Sequence, residues 1–276
     1  MVIGIVGLGL IGGSMAKTIQ RHGGHTVLGY DISEAELTKA ELLGAIDGRL
    51  HDDNLPACHM VIIALYVTDI INYIKEKAGL FGENAVVVDC GGVKQAVYDG
   101  LGQTTKGRKW RFIGGHPMAG REFSGLGYAK DDLFENASMI LTPDSNTPLE
   151  TIAQVKEFFL NLGFRRVVFS TAEQHDEMIA YTSQMAHIVS NAYVRSQRAG
   201  KHKGFSAGSF QDMTRVARMN ETMWTELFLL NKKPLLPELD GIIERLQEFR
   251  KAIASNDENY LTTMLHEGSE LKKTLG

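Results

Sequence analysis

Short apolar runs recur through the first 170 residues, at 2–6, 26–30, 60–64, 85–89, 111–114, 139–142 and 166–169, most of them bounded by Gly, Asp or Asn. Runs of this length, rich in β-branched residues, predict buried strands. Between several of them the apolar positions recur at helical spacing, over 34–43, 68–77 and 148–162. Strands alternating with helices predict parallel βαβ crossovers in an α/β, doubly wound sheet. After Ser170 the strand pattern stops. Thr171-Ala-Glu-Gln174 has the form of a capping box, in which the Thr oxygen serves the N3 amide and the Gln side chain reaches back. Helical patterns then fill 175–199, 208–219, 223–231, 236–255 and 257–273, with loops expected at 200–204 and 232–235. The expected organisation is a sheet domain over 1–170 and an all-helical domain over 171–276.

Composition narrows the picture further. The chain has 276 residues, 43% hydrophobic and 22% charged, which excludes a disordered chain, a collagen and a coiled-coil rod. Lys and Arg number 29 against 33 Asp and Glu, a net charge of −4, so a general nucleic-acid binder is not expected. The apolar run at 1–11 is interrupted by Gly4, Gly7 and Gly9 and lacks a basic flank. No stretch reaches the length of a membrane span, and a cytoplasmic protein without membrane contact is expected. Cys58 and Cys90 read as two reduced thiols, and with neither HExxH nor CxxC spacing no metal is expected.

The N-terminus carries chemistry. Gly7-Leu8-Gly9-Leu10-Ile11-Gly12 matches GxGxxG. It follows the strand pattern at 2–6 and opens a helical one, and Asp31 lies 19 residues after Gly12 at the end of the next strand. In this setting one glycine permits the tight turn, the next lets backbone approach a pyrophosphate, and the third lets helix and strand pack closely. The helix N-terminus offers free N–H groups to the phosphates. Asp31 can accept both ribose hydroxyls and would repel a 2′-phosphate, so NAD is expected rather than NADP. The first domain is therefore expected to be of the Rossmann type.

Further along, Asp89-Cys-Gly-Gly-Val-Lys94 ends a strand and starts a helix, placing it at the carboxyl edge where open α/β sheets bind ligands. Gly114-Gly115-His116-Pro117-Met118-Ala119-Gly120 also follows a strand and reads as a stiff loop presenting His116, a residue whose ordinary pKa suits proton transfer. In the helical part, His187 lies on the first long helix. Arg215 lies in Phe210-Gln-Asp-Met-Thr-Arg215, and Met223-Trp224 follows. Arg215 is a forked donor suited to a carboxylate.

Taken together, GLGLIGGS, DCGGVK, GGHPMAGRE, the HD…SQMAH helix and DMTRVA…MW resemble the prephenate dehydrogenases, including the arogenate and cyclohexadienyl dehydrogenases of tyrosine biosynthesis. The resemblance runs over nearly the whole chain. It implies an NAD-dependent oxidative decarboxylation of a small dicarboxylate, prephenate or arogenate, and a homodimer formed through the helical domain. It implies that His116 accepts the hydrogen bond of the ring C4 hydroxyl, that Arg215 grips a substrate carboxylate and that His187 orients the substrate. Glu122 and Lys94 match active-site positions of the family, and Trp224 supports the pocket.

The chain departs from the family pattern at three positions. The serine of DxxSxK is Gly92, the SHLPH-type motif reads Ser183-Gln-Met-Ala-His187, and Tyr66 stands where proline is common. The family serine links the histidine to the substrate hydroxyl and the cofactor. At Gly92 a roomy polar space holding an ordered water is expected, and Gly92→Ser is expected to be tolerated. Two other readings share parts of the pattern. Two-domain dehydrogenases of the 3-hydroxyacid or pyrroline-carboxylate type share the fingerprint and a helical second domain, but are not expected to combine GGHPMAG with DMTRVA. A catalytically weakened NAD-binding sensor is favoured by Gly92 and opposed by His116, Arg215 and His187.

Overall fold

A computed structural model of the chain describes residues 1–121 and 123–275. Strands β1 (Val2–Val6), β2 (Thr26–Tyr30), β3 (Gly48–Arg49), β4 (Met60–Ile63), β5 (Val86–Asp89), β6 (Arg111–Pro117), β7 (Ser138–Pro143) and β8 (Arg166–Phe169) form one sheet. Its order is β3-β2-β1-β4-β5-β6-β7-β8. The central strands are covered on both sides, which is why β4 and β5 read as unbroken apolar runs rather than alternating ones. Met15, Ile19, Leu37, Phe158 and Phe159 pack on one face, from the helices Leu10–His22, Glu34–Leu42 and Leu149–Asn161. Ile70, Ile74, Val97 and Leu101 pack on the other, from Val67–Lys77 and Gln95–Leu101.

The sheet is mostly, not wholly, parallel. β6 and β7 pair antiparallel, with Ile113 opposite Pro143 and His116 opposite Ile140. A parallel return needs a crossover element, and between these strands the described residues hold only the single 3₁₀ turn Leu126–Tyr128. The chain therefore doubles back. β8 then runs parallel to β7, through the helix Leu149–Asn161. The two-residue strand β3 gave no apolar run and is absent from the sequence reading.

Beyond β8 every described element is helical. The capping box at Thr171 and Gln174 is formed as expected. The long helix it opens is interrupted by a π turn over Ala180–Gln184 and resumes as Met185–Val194, followed by Gly208–Thr214 and Glu221–Leu230. The loop expected at 232–235 is instead the start of the helix Lys232–Ser255. Pro234 is accommodated because it lies in the first turn, where backbone N–H groups have no intrahelical acceptor.

By compactness the chain divides into Met1–Asn231 and a second unit beginning at Lys232. The second unit is a pair of helices, Lys232–Ser255 and Glu258–Thr274, turning through Asn256 at φ 56°. On its first helix Leu236, Ile243, Leu246 and Ile253 are each at least 44% exposed. Their positions follow the seven-residue spacing of a helix–helix seam.

Candidate active site

The carboxyl edge of the sheet begins with the glycine turn after β1. Gly7 has φ +87°, and a methyl group there would lie 2.5 Å from the Ala64 carbonyl oxygen. A methyl at Gly12 would lie 1.8 Å from the Gly7 oxygen, so this glycine allows helix and strand to touch. At Gly9 nothing lies within 4 Å in that direction, leaving the backbone open to a ligand. Leu8 is buried in the core, and Leu10 and Ile11 form the first turn of the helix Leu10–His22. Among the described residues that helix has neither a side-chain cap nor an acidic residue in its first turn. Asp31 is fixed by the backbone amides of Leu8 (2.8 Å) and Ser33 (2.9 Å), one to each carboxylate oxygen. Each oxygen keeps a lone pair for a ribose hydroxyl. The turn, the open Gly9, the uncapped helix and the tethered carboxylate fit a dinucleotide.

Two other helices starting at this edge are closed by acids from the helical region. Asp176 accepts from the amides of Lys94 (2.7 Å) and Gln95 (2.9 Å), capping the helix Gln95–Leu101. Glu226 accepts from the amides of Val67 (3.2 Å) and Thr68 (2.9 Å), capping Val67–Lys77. Carboxylates are stabilised at such ends.

His116 lies in β6 itself rather than on a loop after it, so the strand pleat fixes its direction. It is half-buried. Its Nδ1 is 2.9 Å from His175 Nε2, and His175 Nδ1 is 2.7 Å from Asp176 Oδ1. The carboxylate can only accept, so His175 donates from Nδ1. His175 Nε2 then accepts from His116 Nδ1–H, which leaves the His116 Nε2 lone pair as the free end of the chain. Burial, with the neighbouring His175 and the Lys94 charge, holds the His116 pKa well below the usual histidine value. Burial also lowers His175, against the opposing effect of its hydrogen bond to Asp176. The arrangement has the form of a neutral imidazole backed, through His175, by a fixed carboxylate, and can serve as a base.

Lys94 is fully buried. Its Nζ is paired with Asp89 and donates to the Gly115 carbonyl at 2.6 Å, and the Gly115 amide donates to Asp89 at 3.2 Å. The lysine thus clamps the backbone of the residue preceding His116.

A second wall comes from the helical region. His187 donates from Nδ1 to the Ser183 carbonyl (2.9 Å) and stacks on Trp224, ring centroids 3.8 Å apart. Burial lowers its pKa and the Arg215 charge adds to this, opposed by the Ser183 carbonyl. Arg215 follows the helix Gly208–Thr214 and is exposed. Glu122 lies outside the described residues. Gly92 contradicts its expectation: a methyl there would lie 3.0 and 3.2 Å from the two methyl groups of Leu227. The space is filled and apolar, not roomy and polar. Tyr66 precedes the helix Val67–Lys77 without a side-chain capping bond, and its hydroxyl accepts from Asn220 Nδ2 at 3.3 Å.

Sequence reasoning missed His175, Asp176 and Glu226. The adjacent His-Asp pair behind a capping box was visible, but its partners at His116 and Lys94 lie 59 and 82 residues away. Glu226 carried no local signal.

Residues 15–168 match the family described as "Prephenate dehydrogenase, nucleotide-binding domain", and residues 171–267 match "Prephenate dehydrogenase, dimerization domain". The prephenate dehydrogenase of Bacillus subtilis is 35% identical over 262 residues, covering 92% of this chain and 70% of that protein. The crystal structure of prephenate dehydrogenase from A. aeolicus, in complex with hydroxyphenyl propionate and NAD+, superposes with a TM-score of 0.88. It is 30% identical, covering 100% of this chain and 98% of that one. Synechocystis arogenate dehydrogenase superposes with a TM-score of 0.84 at 26% identity, covering 100% of each chain. The chain belongs to the prephenate dehydrogenase family of NAD-dependent oxidoreductases.

Proposed function

We propose that the protein converts prephenate to 4-hydroxyphenylpyruvate in tyrosine biosynthesis, with arogenate, which carries an amino in place of the keto group, as the alternative substrate. The observation that carries this reading is the Asp176–His175–His116 chain, whose free Nε2 lone pair stands at the same sheet edge as the dinucleotide turn. His116 Nε2 accepts the C4 hydroxyl hydrogen bond and takes its proton as the ring carbon is oxidised. The developing imidazolium is stabilised through His175 by Asp176. The chemistry that NAD supplies when bound is acceptance of one hydride. Loss of the ring carboxylate as CO2 then yields an aromatic ring, so the chain's remaining task is to hold and align the substrate.

Gly7, Gly9, Gly12, the amides of Leu8, Leu10 and Ile11, and Asp31 hold the cofactor. His187, Trp224 and Arg215, with Glu122, hold the substrate. Lys94 and Gly92 position the catalytic strand and loop. The division of labour falls near residue 170, with substrate binding and dimerisation beyond it. The exposed seam of Leu236, Ile243, Leu246 and Ile253 supports a homodimer, and freely diffusing substrates support a cytoplasmic site of action. Leu246→Lys is expected to shift the protein toward a monomer in sedimentation, and an unchanged dimer would move the interface elsewhere.

The test is steady-state turnover with prephenate or arogenate, each with NAD or NADP. Turnover of neither substrate refutes the function. Asp31 leads us to expect a clear NAD preference, and an equal or higher kcat/KM with NADP overturns its role. Arg215→Ala is expected to raise KM about tenfold or more, with Lys rescuing only in part because it lacks the planar fork. The exposed position of Arg215 keeps this below the cost of breaking a buried pair. A KM within about twofold of the parent makes Arg215 structural.

A further inference from the structure

Two of the chain's departures from the family pattern, at Gly92 and Gln184, meet at one residue. Leu227 is 8% exposed and its side chain faces the bare Cα of Gly92, with Cδ2, Cδ1 and Cγ at 3.0, 3.2 and 3.7 Å from where a Cβ would stand. Gln184, 1% exposed, donates from Nε2 to the Leu227 carbonyl at 3.2 Å. Its Oε1 accepts from Asn231 Nδ2 at 2.8 Å, and Asn231 also donates to the Asp176 carbonyl at 3.0 Å. Gln184 therefore ties the helix Glu221–Leu230 to the start of the helix that carries His175 and Asp176.

This helix also carries Trp224, one turn before Leu227, which stacks on His187. Glu226 pins it to the amides of Val67 and Thr68. The loop bearing Gly92 is joined to the other wall of the cleft: Asp89 and Lys94 bond the amide and carbonyl of Gly115, next to His116. The closest approach of the two walls along this path is thus a leucine against a residue with no side chain.

We infer that the Leu227–Gly92 contact, locked by Gln184, sets the separation between the His116 wall and the Trp224–His187 wall. Leu227 is a positioning residue that acts through the helix carrying Trp224. A side chain at 92 meets the Leu227 methyl groups at 3.0 and 3.2 Å, so Leu227 must give way and transmits the strain to the helix that Gln184 and Glu226 hold. The inference rests on the proposed reaction only for its kinetic readout.

The test is a double-mutant cycle of Gly92→Ala and Gly92→Ser with Leu227→Ala. Each is measured for Tm, for NAD affinity by direct binding, and for KM and kcat with prephenate. Gly92→Ala adds a single carbon and keeps the cycle interpretable if the serine variant folds poorly. Gly92→Ala is expected to lower Tm by roughly 2–10 °C and to raise the prephenate KM about fivefold or more, with NAD affinity within about twofold. Adding Leu227→Ala is expected to recover much of both losses, a non-additivity typical of touching residues. In a Gln184→Leu background the penalty of Gly92→Ala is expected to shrink, since Leu227 is no longer held. Additive effects, or a Gly92→Ala protein with parental Tm and KM, overturn the inference. A Tm that responds as expected while KM does not leaves a packing contact without a positioning role, and also overturns it. Should the parent fail to turn over prephenate, the proposed reaction falls, while the Tm cycle still decides the contact.

Discussion

His116→Asn is expected to lower kcat by about 10²–10⁴-fold, the scale of a lost proton-transfer group, while NAD binding stays within about twofold. The asparagine keeps a polar side chain in the strand but has no basic nitrogen. The pH profile gives a second, independent reading. With His116 as the proposed base, turnover needs its neutral form, and burial, His175 and Lys94 hold its pKa well below the usual value. A depressed pKa means that protonation, and with it the loss of activity, comes only at lower pH. The kcat of the parent is therefore expected to stay level as pH falls through about 6.5, the ordinary histidine value, and to decline below it. A decline centred at or above that value, or an asparagine variant within about threefold of the parent, removes His116 from the role of base.

Lys94→Met is expected to destabilise the fold by about 3–5 kcal/mol, because it leaves the Asp89 carboxylate buried without its counter-charge. For a chain of this size that lowers Tm by roughly 6–20 °C. The companion variant separates charge from packing. Asp89→Asn together with Lys94→Met removes both ions, and the pair is expected to be more stable than Lys94→Met alone. Both residues are fully buried, so solvent offers little screening. If the single variant melts within about 2 °C of the parent, the ion pair does not hold β6 in place.

The centre of the sheet was legible because its strands are covered on both faces. Burial on both sides writes itself as the unbroken apolar runs of β1, β4 and β5, while the more exposed β2 and β8 fall at the predicted residues by their β-branched and apolar content. The antiparallel turn between β6 and β7 was not legible, since the direction of a strand leaves no mark on its own residues. The cofactor end of the site was also readable, since turn, helix start and carboxylate lie within 25 residues of one another. The catalytic end was readable only in part. His116 stood out by its neighbours, but the role of its Nε2 depends on His175 and Asp176, which reach it only through the packing of the helical region. Gly92 shows the reverse case. A missing side chain suggests space, and what fills that space, Leu227, is 135 residues further on.

Among the described residues four helices start along this sheet edge; Ser33 caps Glu34–Leu42 locally, and the acids that close two of the others come from positions 176 and 226, downstream of the boundary that the helical pattern draws near 170. A fragment cut at that boundary would keep the glycine turn and Asp31, yet it would bare two positive helix ends beside that of Leu10–His22 and strip Leu227 from the Gly92 loop. A nucleotide half cut there is expected to bind anions less selectively than the whole chain. Two of its four helix starts at that edge are closed only by chain synthesised after it.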